Sequence, residues 1–338
     1  MTPRLRVAVF AALTVLALAA ATIYIRRAAG RPPVTATVTA ADPGVQWREA
    51  GRPSPPYLLF RSTLAGPSFR RVAYAPLSAL DGPRYLTALS CDRLFFRSGR
   101  GVCLTTDSDR RYPARAAIFD EAFHAGPAMR LTGPPSRARV SADGTLAAIT
   151  VFESGHSYAE AGFSTRTSLI DTAASRMLAD LEQFDVRRDG TPFKPVDSNF
   201  WGVTFLPGRD FYATLSTGGH VYLVRGNADT RRAAVIRDGV ECPSLSPRGD
   251  RIAFKKRTTG RLGVSWQIVV LDLASGSETL LDRETRSVDD QVEWLSDDEL
   301  LYHQPSSRGA DIWALRTDNS AAPRLVLTGA YSPALVRE

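Results

Sequence analysis

Glu241, Asp289 and Asp290 are the side chains in this 338-residue chain whose type and spacing could do chemistry. Two carboxylates about 5–10 Å apart can act as an acid/base pair on a glycosidic or lactone bond. Held in a polar recess edged by Trp201, with Lys255, Lys256 and Lys194 in reach, the same groups would instead bind a ligand. A cationic or hydroxyl-rich molecule, or a peptide terminus, would suit such a recess. The plainer reading is solvated charge and salt bridges, because structural ion pairs perturb carboxylates as readily as active sites do. No residue is identified as nucleophile or proton donor, so none is assigned as catalytic, and no cofactor is implied.

Other chemistries fail on their motifs. Gly155-His-Ser-Tyr-Ala159 resembles a nucleophile elbow but lacks the second glycine. The four histidines, His124, His156, His220 and His303, have no metal-ligand spacing. Asp107-Ser-Asp109 is too short for a calcium loop. No metal site is expected.

The elements that must position these residues are short strands. After Pro56, apolar runs alternate with Gly, Pro, Asp and Ser turns, which is the strand signal. One unit recurs as Leu89–Phe96, Val140–Ile149, Phe205–Ala213, Leu245–Phe254 and Trp294–Tyr302: a strand, a polar turn, a second apolar strand. Asp143-Gly144 and Gly249-Asp250 supply turn chemistry. A second strand pair follows most units, clearest in Trp266–Leu281. Four strands per repeat, at a period near the ~40–50 residues of a propeller blade, predict a ring of blades. A long insertion falls at 180–198. The hairpin Tyr57–Phe60/Val72–Tyr74 lacks an innermost strand, and the C-terminal Tyr331–Val336 looks like a lone one. Joining the two completes a sixth blade and removes the open edges.

Superposing Phe205, Leu245 and Trp294 then puts Trp201, Glu241 and Asp290 at one place, four residues upstream, where innermost strands begin and line the channel mouth. Lys255, Lys256 and Arg257 end the following apolar strand. Lys194 lies in the insertion.

The Ser-Pro-x-Gly-Asp-x-Ile-Ala-Phe element at 246–254, with Ser141-Ala-Asp-Gly144, resembles the repeats of TolB-like, or WD-repeat-like, six-bladed propellers. The resemblance covers residues 57–338. It looks particularly like membrane-anchored members of high-GC Gram-positive bacteria, and the family name implies partner binding in envelope assembly. The expected fold class is therefore an all-β six-bladed propeller of four-stranded blades behind one N-terminal helix. The expected function is a binding scaffold or sensor. The alternative is a channel-mouth carbohydrate or lactone hydrolase or lyase using Glu241 and Asp290.

Val7–Ile25 carries no charge, is flanked by arginines, and is long enough to span a bilayer. Residues 1–31 are read as a membrane anchor, or as a signal segment cleaved among Ala17–Ala21. Residues 32–56 are read as a Pro/Ala-rich tether. The propeller is then expected on the extracytoplasmic side of the cell membrane, with an envelope protein or a small ligand as partner. Trp47, in the tether, is a candidate membrane-interface or partner contact. The net charge of +7 comes largely from five arginines among the first 31 residues, which contain no Asp or Glu. The remainder is balanced within two charges, which argues against a nucleic-acid partner.

Outside the cytoplasm Cys91 and Cys103 could pair. They flank a hairpin expected to turn at Ser98–Gly101. Symmetric pairing about that turn sets Cys103 near Phe96, so a bridge requires a bulge or a neighbouring strand. Cys242 is expected to be buried and unpaired.

Overall fold

The structure is a computed structural model that describes residues 4–5, 14, 44–106, 114–155, 158, 162–260 and 263–337. The chain divides into two units, Met1–Asp42 and Pro43–Glu338. The expected anchor, Val7–Ile25, lies outside the described residues except for residue 14. Among the described residues no helix is long and apolar enough to cross a membrane.

The second unit is a six-bladed β-propeller with nearly no helix. From the innermost strand outward, the second blade is Arg93–Arg97, Arg100–Thr106, Ala114–Phe119 and Met129–Arg130. The third is Pro135–Val140, Leu146–Ser154, Ser164–Asp171 and Arg176–Asp180. The fourth is Asn199–Phe205, Asp210–Thr217, His220–Asn227 and Arg232–Asp238. The fifth is Glu241–Leu245, Arg251–Gly260, Gly263–Asp272 and Glu278–Leu280. The sixth is Glu293–Ser296, Glu299–Ser306, Gly309–Arg316 and Arg324–Leu327.

The first blade is assembled from both ends of the unit. Ala330–Val336 forms its innermost strand, antiparallel to Tyr57–Ser62 with Leu59 opposite Ala334. Arg71–Pro76 and Arg84–Ser90 follow outward. Closure thus pairs two edges that would otherwise be left open.

Turn chemistry explains why the repeats fold alike. The Ser141 hydroxyl donates to Asp143 Oδ1 (2.6 Å) and accepts from the Leu146 N–H (2.9 Å). The Ser246 hydroxyl repeats this with Asp250 Oδ1 (2.8 Å) and the Arg251 N–H (3.0 Å). Each serine holds the turn between an innermost strand and the next, over a glycine at positive φ, Gly144 or Gly249.

Buried residues run without a break along the middle strands, as over Leu146–Phe152, so each sheet buries side chains on both faces. The core lies between blades. Tyr212 and Leu223 of the fourth blade pack with Ile252, Phe254 and Val269 of the fifth. Leu58 and Phe60 of the first pack with Leu301 and Ile312 of the sixth.

Three expectations are corrected. Leu89–Phe96 is not a hairpin within one blade. Arg84–Ser90 is an outer strand of the first blade and Arg93–Arg97 the innermost strand of the second. The apolar run looked like one repeat because it crosses between blades without a long loop. The segment 32–56 is not all tether either. Trp47–Glu49 pairs in parallel with Arg84–Leu86 at the outer edge of the first blade. Trp47 is half-buried there and packs with the cluster of the first and sixth blades. Finally, the second-blade hairpin turns at Ser98-Gly99, with Arg97 opposite Arg100. Cys103 therefore faces Leu94 rather than Phe96. Cys91, just ahead of that strand, is bonded to Cys103 in a disulfide with a Cα–Cα distance of 5.4 Å. Cys242 is buried and free.

The insertion at 180–198 is ordered as a 3-10 turn, Leu181–Gln183, and two short strands, Asp185–Arg188 and Thr191–Pro192. They extend the fourth blade to six strands.

Candidate functional site

The six innermost strands run side by side, so the channel has one mouth where they begin and another where they end. Strand alternation sends every second side chain into the channel.

At the first mouth the structure brings Glu241, Lys255, Asp289 and Asp290 together. Lys255 is 1% exposed and Glu241 is 0% exposed. Lys255 Nζ lies 3.7 Å from Glu241 Oε2 and donates to Asp289 Oδ1. Its ammonium also sits over two aromatic faces, 4.2 Å from the Trp266 ring centre and 4.6 Å from that of Tyr158. Such faces stabilise a desolvated cation. Glu241 Oε2 accepts from Trp266 Nε1 at 3.2 Å, and Arg257 Nε is 3.3 Å from Glu241 Oε1. That second oxygen has no hydrogen bond in geometry, so the Arg257 contact is an ion pair alone. Burial raises the Glu241 carboxyl, and Lys255 and Arg257 only partly offset it.

Asp289 is pushed up by burial, but Lys255 and Arg137 outweigh it and hold it below the usual carboxylate range. Arg137 Nη2 reaches Asp289 Oδ1 at 3.0 Å. Asp290 is saturated. Its Oδ1 accepts from Arg93 Nη2 (2.8 Å) and the Gln291 N–H (2.8 Å). Its Oδ2 meets His303 Nδ1 (2.7 Å) and the His303 N–H (3.3 Å). Burial again opposes ionisation, and His303 and Arg93 overcome it to hold Asp290 well below the ordinary range.

The other expected residues are elsewhere. Trp201 is fully buried beside the mouth, in a cluster with Tyr158 (5.0 Å between ring centres) and Phe163 (5.5 Å). Lys256 points to the opposite face of its strand and pairs with Glu278 at 2.6 Å, as alternation after Lys255 requires. Lys194 stays within its insertion, exposed, with Nζ 3.7 Å from Asp185. Sequence superposition missed Arg93, Arg137 and Arg139. The signal was present: Arg137 and Arg139 are two apart on one strand and so face the same way, directly ahead of the Val140-Ser-Ala-Asp-Gly repeat.

Arg139 and Gln291 fill the channel itself. Arg139 Nη2 donates to the carbonyls of Gln291 (3.0 Å) and Val292 (2.7 Å). Gln291 Nε2 donates to those of Val203 (2.9 Å) and Pro243 (2.8 Å). Four blades are tied through these two side chains.

The second mouth opens into a cavity of about 130 Å³ reached by all six blades. Arg97, Arg248 and Arg337 rim it, Arg139 and Glu293 form part of its wall, and Phe95, Phe205 and Trp294 give it apolar surface. Among the described residues no group of three or more His, Cys, Asp or Glu is arranged to hold a metal ion.

These features define the class of protein: a six-bladed β-propeller whose solved structural neighbours include TolB. TolB from Acinetobacter baumannii superposes with a TM-score of 0.57 at 13% identity, over 84% of this chain and 67% of that one. The Nidogen/Laminin complex gives 0.53 at 11% identity, over 83% of this chain and 98% of that one. At such identities the likeness is one of fold. No protein-family model matches the chain, and no curated protein does.

Proposed function

We propose that the protein is a binding scaffold of the cell envelope, tethered by its N-terminal segment and presenting a propeller face to a partner protein. The observation that carries this reading is the saturation of Asp290. A carboxylate already holding four hydrogen bonds in a buried setting has no lone pair left for a substrate, which favours binding over a Glu241/Asp290 acid/base pair. A closed ring with a side-chain-filled channel is a rigid frame, and rigidity lowers the ordering cost of binding. The TolB-like fold supports the same reading.

The test is crosslinking of the full-length chain in membranes, with mass spectrometry of what is captured. Recurrent capture of one envelope protein through one propeller face is the expected result. Capture of nothing, together with turnover of a sugar or lactone that is lost in Glu241→Gln, would replace the scaffold with the enzyme.

A further inference from the structure

We propose that the second channel mouth is a docking site for an acidic peptide segment of a partner protein, with a carboxylate seated between Arg97, Arg139 and Arg337. The inference rests on the scaffold reading and names the face and the partner chemistry.

Charge imbalance is the first observation. Arg139 is 3.8 Å from Glu293, and Arg97 and Arg337 act on the same buried carboxylate. Among the described residues, three guanidiniums thus face one acid. Burial lowers Arg139 only to about 10, so it remains charged at neutral pH. Arg248, the fourth arginine, has its own partner in Asp297 at 3.0 Å and adds no excess. Arg337 spends Nη2 on two backbone carbonyls, Trp294 (3.3 Å) and Leu295 (2.9 Å), which fixes its position without neutralising it. The Arg97 side chain makes no ion pair within 4 Å and no hydrogen bond among the described residues, and acts on Glu293 only at longer range. Arg139 and Arg337, held by backbone carbonyls, present fixed guanidiniums of the kind that suits bidentate recognition of a carboxylate, and Arg97 adds charge beside them.

Shape is the second observation. A further cavity of about 230 Å³ shares Arg97, Ala142 and Arg337 with the first and continues past Ser98 to Leu335 and Val336. Two lobes joined at the arginines suit an extended chain better than a single small ion. Phe95, Phe205 and Trp294 beside the charge offer apolar contact for a neighbouring side chain.

The experiment uses the full-length protein in detergent and a capped hexapeptide, acetyl-Glu-Glu-Phe-Glu-Glu-Gly-amide, with its all-Gln counterpart as control, measured by calorimetry. The Glu peptide is expected to bind at least tenfold more tightly than the Gln peptide, and to weaken as salt rises. Arg97→Gln/Arg337→Gln, both exposed positions, should lose tenfold or more. The charge-matched Arg176→Gln/Arg232→Gln, on outer strands, should lose less than threefold. Equal losses in the two double variants, or no preference for Glu over Gln, would overturn the proposal. So would binding of inorganic phosphate or succinate as tight as that of the peptide, which would mark a small-anion site. Crosslinking separates the two levels: if the envelope partner is still captured by Arg97→Gln/Arg337→Gln, the scaffold stands and this face does not.

Discussion

Arg139 on the third blade donates to the carbonyls of Gln291 and Val292 next to the sixth, the blade directly across the ring, at 3.0 and 2.7 Å. A side chain that spans the axis turns the channel from a passage into a strut. The polar groups at the first mouth are best understood with that strut in place. Arg93 and Arg137 brace Asp290 and Asp289 from other blades, Glu241 pairs with Lys255 and Arg257 inside the fifth, and each buried charge there has a partner on a different strand or on the segment before the sixth blade.

Lys255 shows what the bracing is worth. Removing one member of a buried ion pair leaves the other charged and unpaired, at a cost of about 3–5 kcal/mol. Lys255→Met is expected to lose stability in that range, read as a lowered denaturant midpoint. Adding Glu241→Gln should recover part of it, because the stranded carboxylate is gone. A strictly additive double variant would mean that the 3.7 Å contact carries no coupling.

Glu182 gives the pH prediction. Its carboxylate accepts from the Thr167 N–H (3.0 Å) and the Phe200 N–H (3.3 Å), yet burial prevails and pushes it up to about 8. A carboxyl raised in the folded state binds protons more readily there than in the unfolded chain, where its value is ~4.3. Stability from this group is therefore present at low pH and declines as pH climbs from ~4.3 toward 8. Urea unfolding at pH 5, 7 and 9 should show Glu182→Gln gaining on the parent as pH rises. A constant difference across that range would place the carboxyl near its ordinary value.

The disulfide closes a short loop, with Cys91 and Cys103 separated by 12 positions. In the chain-entropy account a loop of that length contributes about 3 kcal/mol. Cys91→Ala/Cys103→Ala should lower the unfolding free energy by about that amount, and reductant should do the same to the parent. Alkylation of the folded parent should modify no cysteine, since Cys242 is buried. Labelling of Cys91 and Cys103 without reductant would show that the bridge is not formed.

Gly202 is the backbone prediction. It has φ +63°, and a Cβ there would sit 2.6 Å from the Cα of Cys242 on the neighbouring innermost strand. A non-glycine residue in that conformation costs about 1–3 kcal/mol before any clash. Gly202→Ala should be destabilised at least that much, whereas Gly208→Ala, also at positive φ but with open space around it, should bear only the conformational cost. Similar thermal midpoints for the two would remove the close approach as a constraint.

The blade count, the closing strand and the Ser-turn-strand repeat were legible because each follows from local chemistry: short apolar runs, the turn residues between them, and a C-terminal strand with no partner nearby in sequence. Glu241 and Asp290 both lie at the first mouth, since superposed repeats put equivalent residues at equivalent depths. Lys256 was grouped with Lys255 although pleating sends neighbours to opposite faces. Arg93 was missed because its strand directly follows an outer strand of the preceding blade, which hid the boundary.

What the sequence by itself determined is therefore the ring: which segments are strands, where they turn, and that both ends of the ring meet in one blade. What only the tertiary structure decided is which charges meet. Arg137 finds Asp289, and Arg139 finds the Gln291 and Val292 carbonyls, from positions about 150 residues away in sequence, across a channel whose diameter no local pattern encodes. Pairing across an axis depends on the closed geometry of all six blades at once. For that reason the second mouth, assembled from the ends of every innermost strand, appears only in the folded chain.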